Sequence, residues 1–233
     1  MLGGLGGMGP LASAEFMRRL TLLTPASRDQ DHIPAVLWSD PGVPDRTAAR
    51  LGGGEDPLPA LLRGIGGLEA AGCGAIAIPC NTAHGWFDAM QAATRLPILH
   101  IVEAAAADLA RQGVRDGPAG VMGTAGTLAM RLYQDRLEAL GYRCMVPTEG
   151  EMASLVAPAI AAVKANRVAA AWAPLAEAAQ RLVARGGRAV VLGCTEIPLA
   201  VAAGPALPFP VCDTLDALAR AAINWAARES DSA

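Results

Sequence analysis

Aromatic residues make up only 4% of this sequence, no cluster of lysines or arginines interrupts its mildly acidic net charge of −3, and no apolar run is long. The scarcity of aromatics, beside 26 glycines and 17 prolines, argues against a β-sandwich and for close-packed helices joined by tight turns. The missing basic face excludes a nucleic-acid partner, whose phosphates need neutralising. The missing apolar run excludes a membrane helix, which takes roughly 18 residues. Met1-Leu2-Gly3-Gly4 carries neither a charged leader nor an apolar h-region, so the expected location is the cytoplasm. The five cysteines (Cys73, Cys80, Cys144, Cys194 and Cys212) are odd in number and form no C-x-x-C pair, which speaks against a disulfide framework and a zinc ribbon. The histidines His32, His84 and His100 lie far apart without ligand spacing, so no metal is expected.

What is present describes a folding chain: 52% hydrophobic and 18% charged residues suffice for a buried core. At 233 residues, two domains of about 100 each are the starting expectation. The sequence also contains itself twice. Gly6-Gly7-Met8-Gly9-Pro10-Leu11-Ala12 returns as Gly123-Thr124-Ala125-Gly126-Thr127-Leu128-Ala129, both reading G-x-x-G-x-L-A between an apolar start and a helical pattern. Residues 70–82 align without a gap on 184–196, pairing Cys80 with Cys194 at the ends of the apolar runs Ala75–Ile78 and Ala189–Leu192. Pro97-Ile98-Leu99 falls on Pro210-Val211-Cys212. The offsets of 117, 114 and 113 residues are nearly constant, so about 1–110 and 118–228 read as two copies of one alternating β/α unit. The fold class is therefore α/β, with two pseudo-symmetric parallel-sheet domains facing each other across a central cleft. Ligands of such sheets sit beyond the C-terminal strand ends, where both cysteines lie.

Two thiols facing one carbon supply a base on one side and an acid on the other, which is what inversion by proton transfer requires. Helix-start residues follow each cysteine: Asn81 and Thr82 after Cys80, Thr195 after Cys194. Their side chains read either as helix caps or as substrate ligands. A lone cysteine at a strand end is more often a small buried hydrophobe. The repeat singles out Cys80 and Cys194, and that buried reading is kept for the other three.

The stretches G-G-M-G-P-L at 6–11, P-D-R-T at 44–47, G-E-D-P at 54–57, P-C-N-T-A-H at 79–84 and G-C-T-E at 193–196 resemble the aspartate/glutamate racemase family, its aspartate racemases in particular. The resemblance implies a homodimeric enzyme of two α/β domains, independent of pyridoxal phosphate and of any other cofactor, that racemises a small acidic amino acid. It implies that Cys80 and Cys194 are the acid and base, that Arg46 binds a carboxylate, and that Lys164 faces the substrate's acidic groups. Met8, Asn81, Thr82, Thr124, Thr127 and Thr195 fall on the substrate-cradling loops. It further implies that the last strand and helix return to the first domain, giving 1–97 plus 209–233 against 98–208. Arg46 suits its role because a guanidinium fork matches a carboxylate, and the following Leu51-Gly52-Gly53-Gly54 reads as a mobile loop. Two features depart from the family: Gly3 and Gly4 stand where branched residues would firm the first strand, and 159–167 matches loosely.

Other classes compete. Gly4, Gly6 and Gly9 satisfy a dinucleotide fingerprint, but only three residues precede Gly4, too few for the strand it needs. His84 after Cys80 suggests a Cys–His nucleophile. A non-catalytic amino-acid-binding module would be marked by loss of one cysteine, and both are present. The sister activities are hydantoin racemisation, maleate cis–trans isomerisation and decarboxylation, of which the last usually keeps a single cysteine.

Overall fold

The computed structural model describes residues 1–231. Residues 232 and 233, the end of the 209–233 segment, lie outside the described residues. The first half runs β1 (Leu2–Gly6), α1 (Pro10–Leu23), β2 (Ala35–Ser39), α2 (Arg46–Arg50), α3 (Leu58–Ala70), β3 (Ala75–Ala77), α4 (Phe87–Ala92), β4 (Ile98–Leu99) and α5 (Ile101–Arg111). The second runs β5 (Gly117–Gly123), α6 (Ala125–Ala129), α7 (Leu132–Ala139), β6 (Tyr142–Met145), α8 (Glu149–Glu151), α9 (Ala157–Lys164), α10 (Trp172–Ala184), β7 (Ala189–Gly193), α11 (Glu196–Ala202), β8 (Val211–Asp213) and α12 (Thr214–Asp231). Every strand pairing is parallel, and the two sheets have the same order, β2-β1-β3-β4 and β6-β5-β7-β8. The central strands β1, β3 and β7 are short apolar runs buried on both faces, as parallel strands under helices must be, while the edge strands β2, β6 and β8 are only partly buried. No helix among the described residues is long and apolar enough to cross a membrane.

The glycines of β1 do not loosen it. All five residues are buried, and the strand is central, pairing with both β2 and β3. The missing side chains let helices approach: a Cβ on Gly6 would sit 2.6 Å from Ser13 Oγ of α1. Ser13 Oγ uses that proximity to accept from Gly7 N at 2.9 Å and donate to Gly9 O at 2.8 Å, which closes the turn from strand to helix. In the second half the matching helix is interrupted. It stops at Ala129, Arg131 adopts φ 51°, and Leu132 and Leu137 continue on α7.

The return of the last strand to the first domain is corrected by the structure. β8 pairs with β7, Val190 opposite Val211 and Val191 opposite Cys212, so it occupies in the second sheet the place β4 has in the first. Its apolar residues extend a ladder that β7 leaves open at that edge. Only the helix crosses: α12 packs chiefly on α1 and α5. Arg19 of α1, 9% exposed, fastens this crossing by donating to Asp216 Oδ1 at 2.6 Å and to Asp213. α5 in turn lies against α7 and β8. One hydrophobic core accordingly runs through both halves, holding Phe16 and Leu20 with Val121, Val191, Leu215 and Leu218, while each half keeps a further core of its own.

Gly7 and Gly66 test this packing in opposite directions. Gly7 has φ +93°, and a Cβ there would meet the Asp40 backbone at 2.3 Å. Gly7→Ala should destabilise the fold by about 2 kcal/mol or more, lowering Tm by about 5 °C. Gly66, inside α3, would meet nothing within 4 Å. Gly66→Ala should raise Tm slightly, and thermal melts of the pair check both signs.

Candidate active site

The loop after β3 carries Cys80 and the loop after β7 carries Cys194, 4% and 3% exposed. Short helices begin after each, but the side chains expected to cap them do not. Neither Asn81 nor Thr195 makes a side-chain cap bond. They join the two halves instead. Thr195 Oγ1 donates to Pro79 O at 3.2 Å, Tyr133 donates its hydroxyl to Asn81 Oδ1, and Asn81 Nδ2 donates to Thr214 Oγ1 at 3.4 Å. The hydroxyls of Thr82, Thr124 and Thr127 form a triangle 3.0 Å on each side, one corner from the first half and two from the second. Thr124 alone among the expected residues caps, accepting from Thr127 N.

Arg46 is positioned by P-D-R-T itself. Asp45 is the N-cap of α2, accepting from Ala48 N at 2.7 Å, and this turns the first helical residue inward. The Arg46 guanidinium is 9% exposed and donates to three backbone carbonyls, Val43 O at 3.1 Å, Pro44 O at 3.0 Å and Met8 O at 3.0 Å. Its Nε has no partner, and it forms no ion pair among the described residues. A buried cation held by neutral carbonyls alone leaves an electrostatic vacancy for an anion.

Met8, Arg46, Cys80, Asn81, Thr82, Thr124, Lys164, Cys194 and Thr195 line one cavity, and Thr127 stands behind its wall through the hydroxyl triangle. Three further residues line it that sequence reasoning left without a role: Asp45, Thr47 and Glu196. Glu196, 4% exposed, is the important one. Cys194 Sγ donates to its Oε2 at 3.0 Å and Gly9 N to its Oε1 at 3.2 Å. Its position two residues after a cysteine, in G-C-T-E, was the available signal. Lys164 is the only lysine in the chain, and it is exposed at the end of α9 while lining the cavity. Burial pushes the Asp45 carboxyl up, but the Ala48 N–H and the charges of Lys164 and Arg46 outweigh it and hold the group below its usual range.

The two thiols have different surroundings. Burial raises Cys80, opposed by the Arg46 charge, the Ala83 N–H and Lys164, with the Glu196 charge adding to the rise. Burial raises Cys194 well above the ordinary thiol range, and the charge and hydrogen bond of Glu196 add to it. The enclosed space is about 10 Å³, room for about one water. Beside it, sharing Met8, Arg46, Lys164 and Glu196, opens a cavity of about 310 Å³. The cleft is thus closed at its floor and has an antechamber on the Lys164 side.

His84 belongs to the scaffold. Its Nδ1 lies 2.9 Å from Cys80 O, which can only accept, and its Nε2 accepts from Ile101 N at 3.2 Å, so the neutral imidazole is fully engaged. It meets the cysteine's carbonyl and not its sulfur, which removes the base from the Cys–His alternative. Among the described residues no group of three or more His, Cys, Asp and Glu is set to hold a metal.

Comparison with known proteins now decides the kinship. A profile of the family described as Asp/Glu/Hydantoin racemase matches residues 5–222. The chain belongs to this racemase family. The broad specificity amino-acid racemase RacX of Bacillus subtilis is 28% identical, over 96% of this chain and 97% of its own. The Picrophilus torridus aspartate racemase is 31% identical with a TM-score of 0.85, over 97% of this chain and 94% of that one. Glutamate racemase from Francisella tularensis, in complex with D-glutamate, shares the fold at 14% identity and a TM-score of 0.71, over 98% of this chain and 81% of its own. The racemase fold accounts for the paired sheets, and four of the five family motifs place residues on the cavity wall, G-E-D-P at 54–57 being the exception.

The fixed His84 gives this racemase-family member a pH-dependent stability. Burial lowers its pKa from 6.5 to about 4, so between those values the unfolded chain binds more protons than the folded one. The contribution is complete above the unfolded value and is lost as pH falls towards the folded one, by about 3 kcal/mol at most. Urea unfolding followed across that window should show a slope in the native protein that His84→Gln makes shallower, His100, lowered to about 2, supplying the remainder.

Proposed function

We propose that the protein racemises a small acidic amino acid, aspartate foremost, by two-base proton transfer between Cys80 and Cys194 without a cofactor, as a cytoplasmic homodimer. Membership of the family makes it an amino-acid racemase; the substrate and the mechanism are the proposal. The observation that carries them is Arg46: a buried guanidinium without a carboxylate partner, lining the same cavity as both thiols. The α-carboxylate docks there through charge-assisted hydrogen bonds. Lys164, at the antechamber, meets the side-chain carboxylate and draws dianionic substrates inward.

The different settings of the thiols divide their labour. Cys80 has cations beside it, which favour its thiolate over that of Cys194, and it takes the α-proton. Cys194 is held protonated beside Glu196, and it returns a proton to the opposite face. The Arg46 charge stabilises the carbanionic carboxylate formed between the two transfers. In the reverse direction Cys194 needs to ionise, and Glu196 is placed to accept its proton. Met8, Asn81, Thr82, Thr124, Thr127 and Thr195 shape the floor. The amide of Asn81 is already engaged, so its part is to hold Cys80 in place.

The protein incubated in D₂O with L-aspartate, and separately with L-glutamate, should lose both the α-proton NMR signal and the optical rotation, faster for aspartate. Cys80→Ser and Cys194→Ser should each lower the rate by about a thousandfold or more. Exchange with neither amino acid, or near-native turnover in either variant, overturns the proposal.

Glu196→Gln tests the division of labour. It removes the charge that raises Cys194, so the thiol ionises at lower pH and the alkaline limb of the pH–rate profile moves down. A slower enzyme whose limb has not moved would show that Glu196 acts by packing alone.

A further inference from the structure

A second cavity, of about 740 Å³, lies away from the cleft between β4, α5 and α12, within the range of small-molecule sites. Five buried side-chain nitrogen or oxygen atoms among the described residues lack a hydrogen-bond partner, and two of them, His100 Nε2 and Arg220 Nε, belong to residues lining this one groove. Both are donors. His100 is 5% exposed, and its Nδ1 accepts from Val102 N at 3.1 Å, so in the neutral ring Nε2 carries the hydrogen. Burial and the neighbouring His84 keep that ring neutral, with its pKa lowered to about 2. Arg220 forms no ion pair among the described residues.

The groove's other charges leave room for one more negative charge. Arg111 is neutralised by Asp108 at 2.6 Å. Glu103 is exposed. The remaining wall is largely apolar, from Leu23 to Ile98, Ile223 and Trp225. Unpaired buried donors cost stability unless an acceptor reaches them, and two in one apolar-walled groove suit an acceptor carried on an apolar body.

We propose that this groove is a second binding site, separate from the cleft, for a small organic monoanion: a carboxylate on an apolar body, the carboxylate bonded to His100 Nε2 and Arg220, the body against Trp225. The proposal stands independently of the reaction assigned to the cleft.

Isothermal titration calorimetry with 1-naphthoate as probe tests it on the full chain. The expected result is saturable binding at one site, with affinity about tenfold weaker in Arg220→Met, which removes the charged donor. Ala107→Leu, on an exposed position of α5 that lines the groove, should fill the space and weaken binding similarly while leaving the fold intact. Saturating L-aspartate should not displace the probe, and the racemase rate of both variants should match that of the native protein. Absence of binding up to about 10 mM, which is weaker than ordinary specific affinities, overturns the proposal. So does an affinity that either substitution leaves unchanged, or displacement by L-aspartate.

Discussion

The hydrogen bonds across the floor of the cleft are the constraint on which the rest depends. Thr195 reaches the carbonyl just before Cys80, Tyr133 and Thr214 hold the amide just after it, and three threonine hydroxyls close the gap beside them. Each such bond contributes only about 1 kcal/mol net, but a buried polar group left unpaired costs more than that. The halves are therefore not free to part at the floor. The loops that carry the two sulfurs are thereby held together, as the proposed transfer of protons to two faces of one carbon would demand, and the wider opening lies on the side of Lys164 and the antechamber.

Packing makes the same division. α12 crosses to α1 and α5 lies against the second half, so one core spans the molecule behind the cleft. On the cleft side the halves touch through small residues: a Cβ on Gly126 of α6 would meet the Cα of Thr47 of α2 at 2.9 Å. Electrostatics follows the closure. In a space of about 10 Å³ walled by protein, the Arg46 charge is poorly screened and favours the thiolate of Cys80, against the larger opposing effect of burial.

Much of this was legible in the sequence because it is local. Glycine turns at fixed offsets and apolar runs ending in cysteine disclosed two equivalent β/α units, and the shared order of the two sheets is their direct expression. The family motifs named nearly all the cavity-lining residues. What escaped was non-local. The edge strand's partner depends on which ladder is open in space, and the repeat itself, placing 210–212 on 97–99, pointed to the second sheet more faithfully than the family analogy did. Asn81 and Thr195 have the composition of caps, and only the facing half reveals that their side chains bridge. Glu196 was read as part of a motif; its carboxylate matters because the chain folds it back onto the preceding sulfur.

Lys164 carries one more consequence. The chain uses arginine for all its other strongly basic side chains and keeps its single lysine for the rim of the cleft. Apart from an α-amino terminus, every primary amine of the protein is therefore in one place. An acylating or fluorescent reagent selective for amines would label the mouth of the site and no other side chain, so the molecule comes with its own single-point handle for watching the cleft open and close.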